Sequence, residues 1–178
     1  FPPSDGTAPA AFAALAREIE PAILQTRFLQ TIFLDFSLTW GVSVDFSDPA
    51  CSFCRRLEPE LAKLQDVTVY TFLLPFQGRQ LPQAVLCSPD PVKSWQAVML
   101  NADTTGLNSQ AECATPLERN LQLARQLGVN GTPTIFYADG TRTTGYVPGA
   151  EVERRIAAAA ASRAPVANAQ AITQEKAP

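Results

Sequence analysis

Apolar and polar positions along this chain switch between helical and strand-like periods. From Ala10 to Glu20, the residues Phe12, Leu15 and Ile19 fall near helical spacing, and a second helical stretch runs from Pro21 to about Gln30. Ile32 to Phe36 and Val42 to Phe46 read as strands, with Trp40-Gly41 in the turn between them. Leu57, Leu61 and Leu64 line one face of a helix that starts at or near Cys51 and runs to about Leu64. Val67 to Leu74 is rich in β-branched and aromatic residues and predicts a buried strand. Phe76 to about Ala114 reads as helix and loop, with Trp95, Met99 and Leu100 as its apolar core.

A further helix is announced by Thr115-Pro116-Leu117-Glu118, which has the pattern of a capping box with Pro116 at the first helical position. Gly128 suits its C-terminal cap. Thr134 to Tyr137 and Thr141 to Tyr146 flank an Asp139-Gly140 turn and predict a hairpin. A last helix is expected from Gly149 to Ala160. The organisation that follows is a flexible arm at 1–9, a helical segment at 10–31, a main domain at 32–160 with a helical insertion at about 76–114, and a disordered tail at 161–178. A parallel unit followed by an antiparallel hairpin and a closing helix belongs to the α/β layered class.

Composition narrows the chemistry. The net charge is −3 and no basic patch stands out, which argues against nucleic acid as a partner. No apolar run approaches the roughly 20 residues needed to cross a bilayer, so membrane insertion is not expected. The N-terminal residues Phe1-Pro2-Pro3-Ser4-Asp5 show neither a basic segment nor an apolar one, so a signal peptide is either absent or already removed. The chain has no histidine. That excludes a Ser-His-Asp triad, a Cys-His dyad and any metal site built on imidazole. Four cysteines leave thiol chemistry as the remaining specialty, with no cofactor required.

Cys51-Ser52-Phe53-Cys54 places two thiols on the first turn of a helix, close enough to form a small disulfide ring. Free N–H groups and the helix dipole favour negative charge on the first sulfur, and the thiolate is the reactive form. Cys51 is therefore the expected solvent-accessible nucleophile, and Cys54, one turn deeper, the resolving thiol. By itself a CxxC pair also fits half of a zinc site or a structural disulfide. A zinc ribbon needs a second close pair, whereas Cys87 and Cys113 are 26 positions apart. A carrier of a soft ion such as Cu(I) on two thiolates stays open as an alternative.

The surrounding residues carry a resemblance. Val44-Asp45-Phe46-Ser47-Asp48-Pro49-Ala50 leads into the cysteine pair, and Arg55-Arg56-Leu57 follows it. Gln126-Leu127-Gly128-Val129-Asn130-Gly131-Thr132-Pro133, Asp139-Gly140-Thr141 and Gly145-Tyr146-Val147-Pro148 come later in the same order. Together they resemble the thioredoxin superfamily and, more narrowly, the catalytic domain of the bacterial periplasmic DsbC/DsbG thiol:disulfide interchange proteins, over about residues 42–160.

The resemblance implies a thioredoxin-like fold with a helical insertion and an N-terminal helical extension. It implies a disulfide isomerase or reductase that acts on cysteine-containing protein substrates in the periplasm or in secreted form. A membrane or soluble thiol partner would recycle it, and a homodimer is compatible with it. Thr132-Pro133 matches the family's cis-proline loop, which with Ser52 and Phe53 would face the substrate. Cys87 and Cys113 match the disulfide of the insertion. Asp45, six residues before Cys51, stands where thioredoxin has its buried aspartate, and would accept the proton of Cys54. Pro59 matches thioredoxin's helix-kinking proline. Ser52-Phe53 supplies no cation to Cys51, unlike the histidine of DsbA-type oxidases, which favours isomerase or reductase work over primary oxidation. Phe76-Gln77-Gly78 is a candidate rim of the site. A periplasmic chaperone or assembly factor that binds unfolded chains without catalysis is the alternative from another class.

Overall fold

The computed structural model describes residues 41–163. The expected arm, the helical segment at 10–31 and the strand at Ile32 to Phe36 lie outside the described residues, as does the tail beyond residue 163. The described elements run β1 (Gly41–Ser47), α1 (Ser52–Leu61), β2 (Val67–Leu73), α2 (Gln80–Leu86), α3 (Pro91–Asn101), α4 (Leu117–Gln126), β3 (Thr134–Tyr137), β4 (Arg142–Thr144) and α5 (Gly149–Arg163).

The strands form one sheet in the order β2-β1-β3-β4. β1 pairs parallel with β2 and antiparallel with β3, and β3 pairs antiparallel with β4. Because side chains alternate along a strand, the central β1 serves both faces. Val44 and Phe46 point to a core shared with Phe72, Leu74 and Phe136 and covered by Leu123 and Ala124 of α4. Phe46 stacks on Phe72 and meets Phe136 edge-on, at centroid distances of 5.2 and 5.9 Å. The opposite face is covered by Leu57 and Leu61 of α1 and by Val152, Ile156 and Ala159 of α5, packed on Ile135 and Tyr137. A third cluster joins Cys51 and Cys54 to Trp95, Val98 and Met99 of α3, Val85 of α2, Leu73 and Leu117. The insertion is thereby packed against the helix that carries the cysteine pair.

Several expectations are corrected. α1 ends at Leu61 rather than about Leu64, because Lys63 and Leu64 turn tightly onto the carbonyls of Glu60 and Leu61. The Thr115 capping box does not form. Pro116 is the N-cap residue of α4, and the Thr115 hydroxyl donates instead to Gln83 Oε1 of α2 at 3.0 Å. Leu100 is 42% exposed and does not join the core with Trp95 and Met99. The second hairpin strand, Arg142–Thr144, is shorter than Thr141 to Tyr146: the Gly145 N–H still donates in register to the Pro133 carbonyl at 2.8 Å, but Pro133 has no N–H to return and Gly145 turns the chain away at φ +84°. α5 continues to Arg163, three residues into the stretch expected to be disordered.

At the end of α4, Gly128 adopts φ +66°. Its N–H donates to the Arg125 carbonyl and that of Val129 to the Ala124 carbonyl, a Schellman arrangement with buried Val129 as its apolar contact. This turn delivers the chain to Gly131-Thr132-Pro133 in front of α1.

Candidate active site

Cys51 is the N-cap residue of α1, with an extended backbone at φ −78° and ψ 121°. Its N–H donates to the Asp48 carbonyl at 2.9 Å, and its carbonyl accepts from the Arg55 N–H at 3.1 Å. Its side chain is therefore held over the unpaired N–H groups that open the helix. Cys51 and Cys54 are unbonded thiols. Neither is open to solvent: Cys51 is 3% exposed and Cys54 1%. The expectation of a freely accessible Cys51 is corrected here, because the loop after α4 lies across it, with Cys51 Sγ donating to the Thr132 carbonyl at 3.4 Å. The Thr132-Pro133 peptide bond is cis. The Pro133 carbonyl is held by the Gly145 N–H at 2.8 Å, and Thr134 Oγ1 donates to the Gly131 carbonyl at 2.8 Å. Phe53, between the two cysteines, is 56% exposed, and Ser52 is exposed too.

The two thiols are electrostatically unequal. Burial opposes ionisation of Cys51. It is outweighed by the Cys54 N–H, the Thr132 side chain, the Cys54 thiol and the Phe53 N–H, so the Cys51 pKa lies below the ordinary thiol value. The two N–H groups act as near neighbours, since no side-chain capping hydrogen bond forms. Burial pushes the Cys54 thiol up to about 12, and the Asp45 carboxylate adds to this. The Asp48 N–H, 3.5 Å from Cys54 Sγ, and the Ser47 side chain offset part of it.

Asp45 is fully buried on the face of β1 that α1 and α5 cover, paired across the sheet with Thr71 and Ile135. Neither of its carboxylate oxygens has a hydrogen-bond partner. Burial raises its pKa to about 8, the Glu58 charge adds to the rise, and the nearby Ser47 side chain, outside strict hydrogen-bond geometry, lowers it.

Two carboxylates at the site were not singled out in the sequence. Asp48 accepts from the N–H of Ala50 at 2.8 Å and from that of Gln77 at 2.7 Å. It ties the loop after β2 to the cysteine turn, so Phe76-Gln77-Gly78 does border the site, with Phe76 39% exposed. Its position just before Pro49 is an ordinary turn signal, which could have drawn notice. Glu58 lies four residues after Cys54, one helical turn on, and accepts from Trp95 Nε1 of α3 at 2.9 Å. Arg56 lies against the Tyr146 ring, 4.1 Å from its centroid, rather than over the sulfurs. In the insertion, Cys87 and Cys113 are joined by a disulfide, and Gln83 Nε2 donates to Cys87 Sγ and to the Cys113 carbonyl.

A reactive-type thiol at a helix start, a deeper high-pKa thiol behind it and a cis-proline loop across the pair define a thioredoxin-type dithiol site. The match to a thioredoxin-like domain family spans residues 40–160, and this chain belongs to that family. It is 38% identical over 114 residues to a probable thiol:disulfide interchange protein DsbC of Bordetella avium (strain 197N), covering 62% of this chain and 40% of that protein. It is 29% identical over 115 residues to the thiol:disulfide interchange protein DsbC of Escherichia coli (strain K12), covering 61% of this chain and 47% of the relative. The chain thus spans less than half the length of these curated relatives. Among solved structures, a disulfide interchange protein from Neisseria gonorrhoeae is similar at a TM-score of 0.58 and 34% identity, over 67% of this chain and 89% of that one. The catalytic domain of Proteus mirabilis ScsC is similar at a TM-score of 0.58 and 26% identity, over 84% of this chain and 98% of that one.

Proposed function

We propose that this protein is a thiol–disulfide oxidoreductase of the DsbC type, working as an isomerase or reductase on cysteine-containing proteins of the periplasm. The observation that carries this reading is the placement of two unbonded thiols at the start of α1 against the cis Thr132-Pro133 loop, with the Cys51 pKa lowered and the Cys54 thiol pushed up to about 12. The Cys51 thiolate attacks one sulfur of a substrate disulfide. A bond forms between Cys51 and that sulfur, the substrate S–S bond breaks, and the other substrate sulfur leaves as a thiolate.

Resolution then requires Cys54 to lose its proton. Asp45, buried and unpaired beneath the site, accepts it. The Cys54 thiolate attacks Cys51, forming the Cys51–Cys54 disulfide and expelling the second substrate thiolate. The substrate gains two electrons and the protein loses two, to be recovered from a thiol reductant. In the isomerase mode a different cysteine thiolate of the substrate attacks the substrate sulfur of the mixed disulfide, a new substrate disulfide forms, Cys51 leaves as a thiolate, and no net electrons move. Thr132 and Pro133 form the wall beside which the substrate chain lies, with Ser52 and Phe53 as its exposed floor. Cys87 and Cys113 act structurally, bracing the insertion.

A chaperone that binds unfolded chains without exchange is the second reading, favoured by the exposed Phe53 and Phe76. Insulin reduction by the native protein and by Cys51→Ala separates the two. The exchange reading expects the variant to lose essentially all activity; equal rates would leave the chaperone.

A further inference from the structure

Asp48 touches both cysteines through its backbone and the neighbouring loop through its side chain. It directly follows β1 and is wholly buried. The peptide group joining Ser47 to Asp48 is held at both ends. Its carbonyl accepts from the Leu74 N–H at 2.8 Å, and its N–H donates to Cys54 Sγ at 3.5 Å. The Asp48 carbonyl accepts from the Cys51 N–H at 2.9 Å. The carboxylate uses both oxygens, Oδ1 accepting from the Ala50 N–H at 2.8 Å and Oδ2 from the Gln77 N–H at 2.7 Å. The first of these bonds is an Asx turn, in which the side chain fixes its own backbone two residues on. The second fastens that turn to the loop after β2.

We propose that Asp48 is a positioning residue for the resolving step, its carboxylate holding in place the backbone N–H that meets the Cys54 thiolate. The proposal rests on the reading of Cys54 as the resolving thiol given above. The two thiols depend on different donors. The N–H groups that favour the Cys51 thiolate belong to Phe53 and Cys54, within α1 itself, and do not depend on the Asp48 carboxylate. Cys54 is packed among apolar side chains that include Leu73, Val85 and Met99, where a thiolate without donors is costly. The donor that reaches its sulfur from outside α1 along the backbone is the Asp48 N–H. Among the groups that favour ionised Cys54 it has the largest effect, ahead of the Ser47 and Thr132 side chains. Without the carboxylate, the turn at Ala50 and its tie to Gln77 are both lost, and the N–H is free to leave the sulfur. Resolution then suffers, while first attack by Cys51 keeps its donors.

The test separates the two steps by stopped-flow kinetics at neutral pH. First attack is followed with the reduced protein and a disulfide-bonded model peptide, and resolution as the decay of a mixed disulfide preformed with that peptide. Native protein, Asp48→Ala, Asp48→Asn and Cys54→Ala are compared. Asp48→Ala should slow resolution about tenfold, the worth of one hydrogen bond to a charged group, and leave first attack essentially unchanged. Asp48→Asn should slow resolution by a smaller factor, because its single oxygen keeps the Ala50 turn and its amide cannot accept from Gln77. A purely structural loss would slow both steps together. Resolution in Asp48→Ala as fast as in native protein, or slowed only in step with first attack, overturns the proposal. If the mixed disulfide of Cys54→Ala decays as fast as that of native protein, the reading of Cys54 as the resolving thiol fails instead, and the proposal with it. Should Asp48→Ala not fold, the same comparison in Asp48→Asn decides.

Discussion

Replacing Asp45 by alanine should stabilise this protein, and the gain should grow with pH. The carboxyl is 1% exposed, neither oxygen is hydrogen-bonded, and its pKa rises from 3.8 to about 8 on folding. The sign follows from which state holds the proton. Below about pH 4 the group is neutral in both the folded and unfolded chains, so its ionisation adds no penalty there. As pH rises from there toward 8, the unfolded chain releases the proton and the folded chain must keep it, so native stability falls through that window. Each unit of separation is worth about 1.4 kcal/mol, so the native protein forfeits about 4 kcal/mol between pH 4 and pH 7. Alanine removes this penalty and leaves a small void, which costs about 1 kcal/mol at any pH. The void offsets the comparison without tilting it. Urea unfolding of the reduced native protein and of Asp45→Ala, over about pH 4 to 8.5, reads the difference directly. The variant should be equal or slightly weaker at the acid end and about 3 kcal/mol more stable near neutrality. A difference that stays flat with pH would falsify the account of Asp45 as a buried, unpaired acid.

Brief alkylation of the reduced protein at neutral pH should label Cys51 before Cys54, since only Cys51 has a lowered pKa; peptide mapping that finds Cys54 labelled first would reverse the assignment. Replacing both Cys87 and Cys113 by alanine should cost about 3.5 kcal/mol, the chain entropy of a loop of that size, and a denaturant midpoint unmoved by the change would contradict it. Asp48→Ala strips the acceptor from the N–H groups of Ala50 and Gln77 and should cost about 1–3 kcal/mol. Hydrogen exchange should then quicken at Gln77 and its neighbours, and unchanged protection there would show that Asp48 does not tie the two loops.

What the chain reveals without a structure depends on whether a feature is local. Alternation at Val44, Asp45 and Phe46 is enough to put Asp45 on the face opposite the two apolar residues, and the register with Thr71 and Ile135 agrees. The helix start at Cys51 and the turns at Gly128 and Asp139-Gly140 rest on neighbouring residues, and they were legible. Features decided across the fold were not. Thr115 has a good capping sequence, but Gln83 of α2 competes for its hydroxyl and wins. Leu100 has the right polarity for a core position yet lies on the outer side of α3. The solvent cover over Cys51 comes from a loop about 80 residues later, contacting it through the Thr132 carbonyl. Glu58 sits at a spacing that identifies its face, but its partner Trp95 belongs to another helix, 37 positions away. Periodicity carries no information about such pairs.

The central claim is that Cys51 exchanges disulfides with a protein substrate and that Cys54 resolves the product. Its most direct test is to trap the intermediate in Cys54→Ala, which keeps the nucleophile and removes the resolving sulfur. Incubated with a disulfide-bonded model protein and analysed by mass spectrometry without reductant, the variant should accumulate a covalent adduct joined through Cys51, which native protein releases. Absence of any adduct, or an adduct joined through another cysteine, would contradict the account.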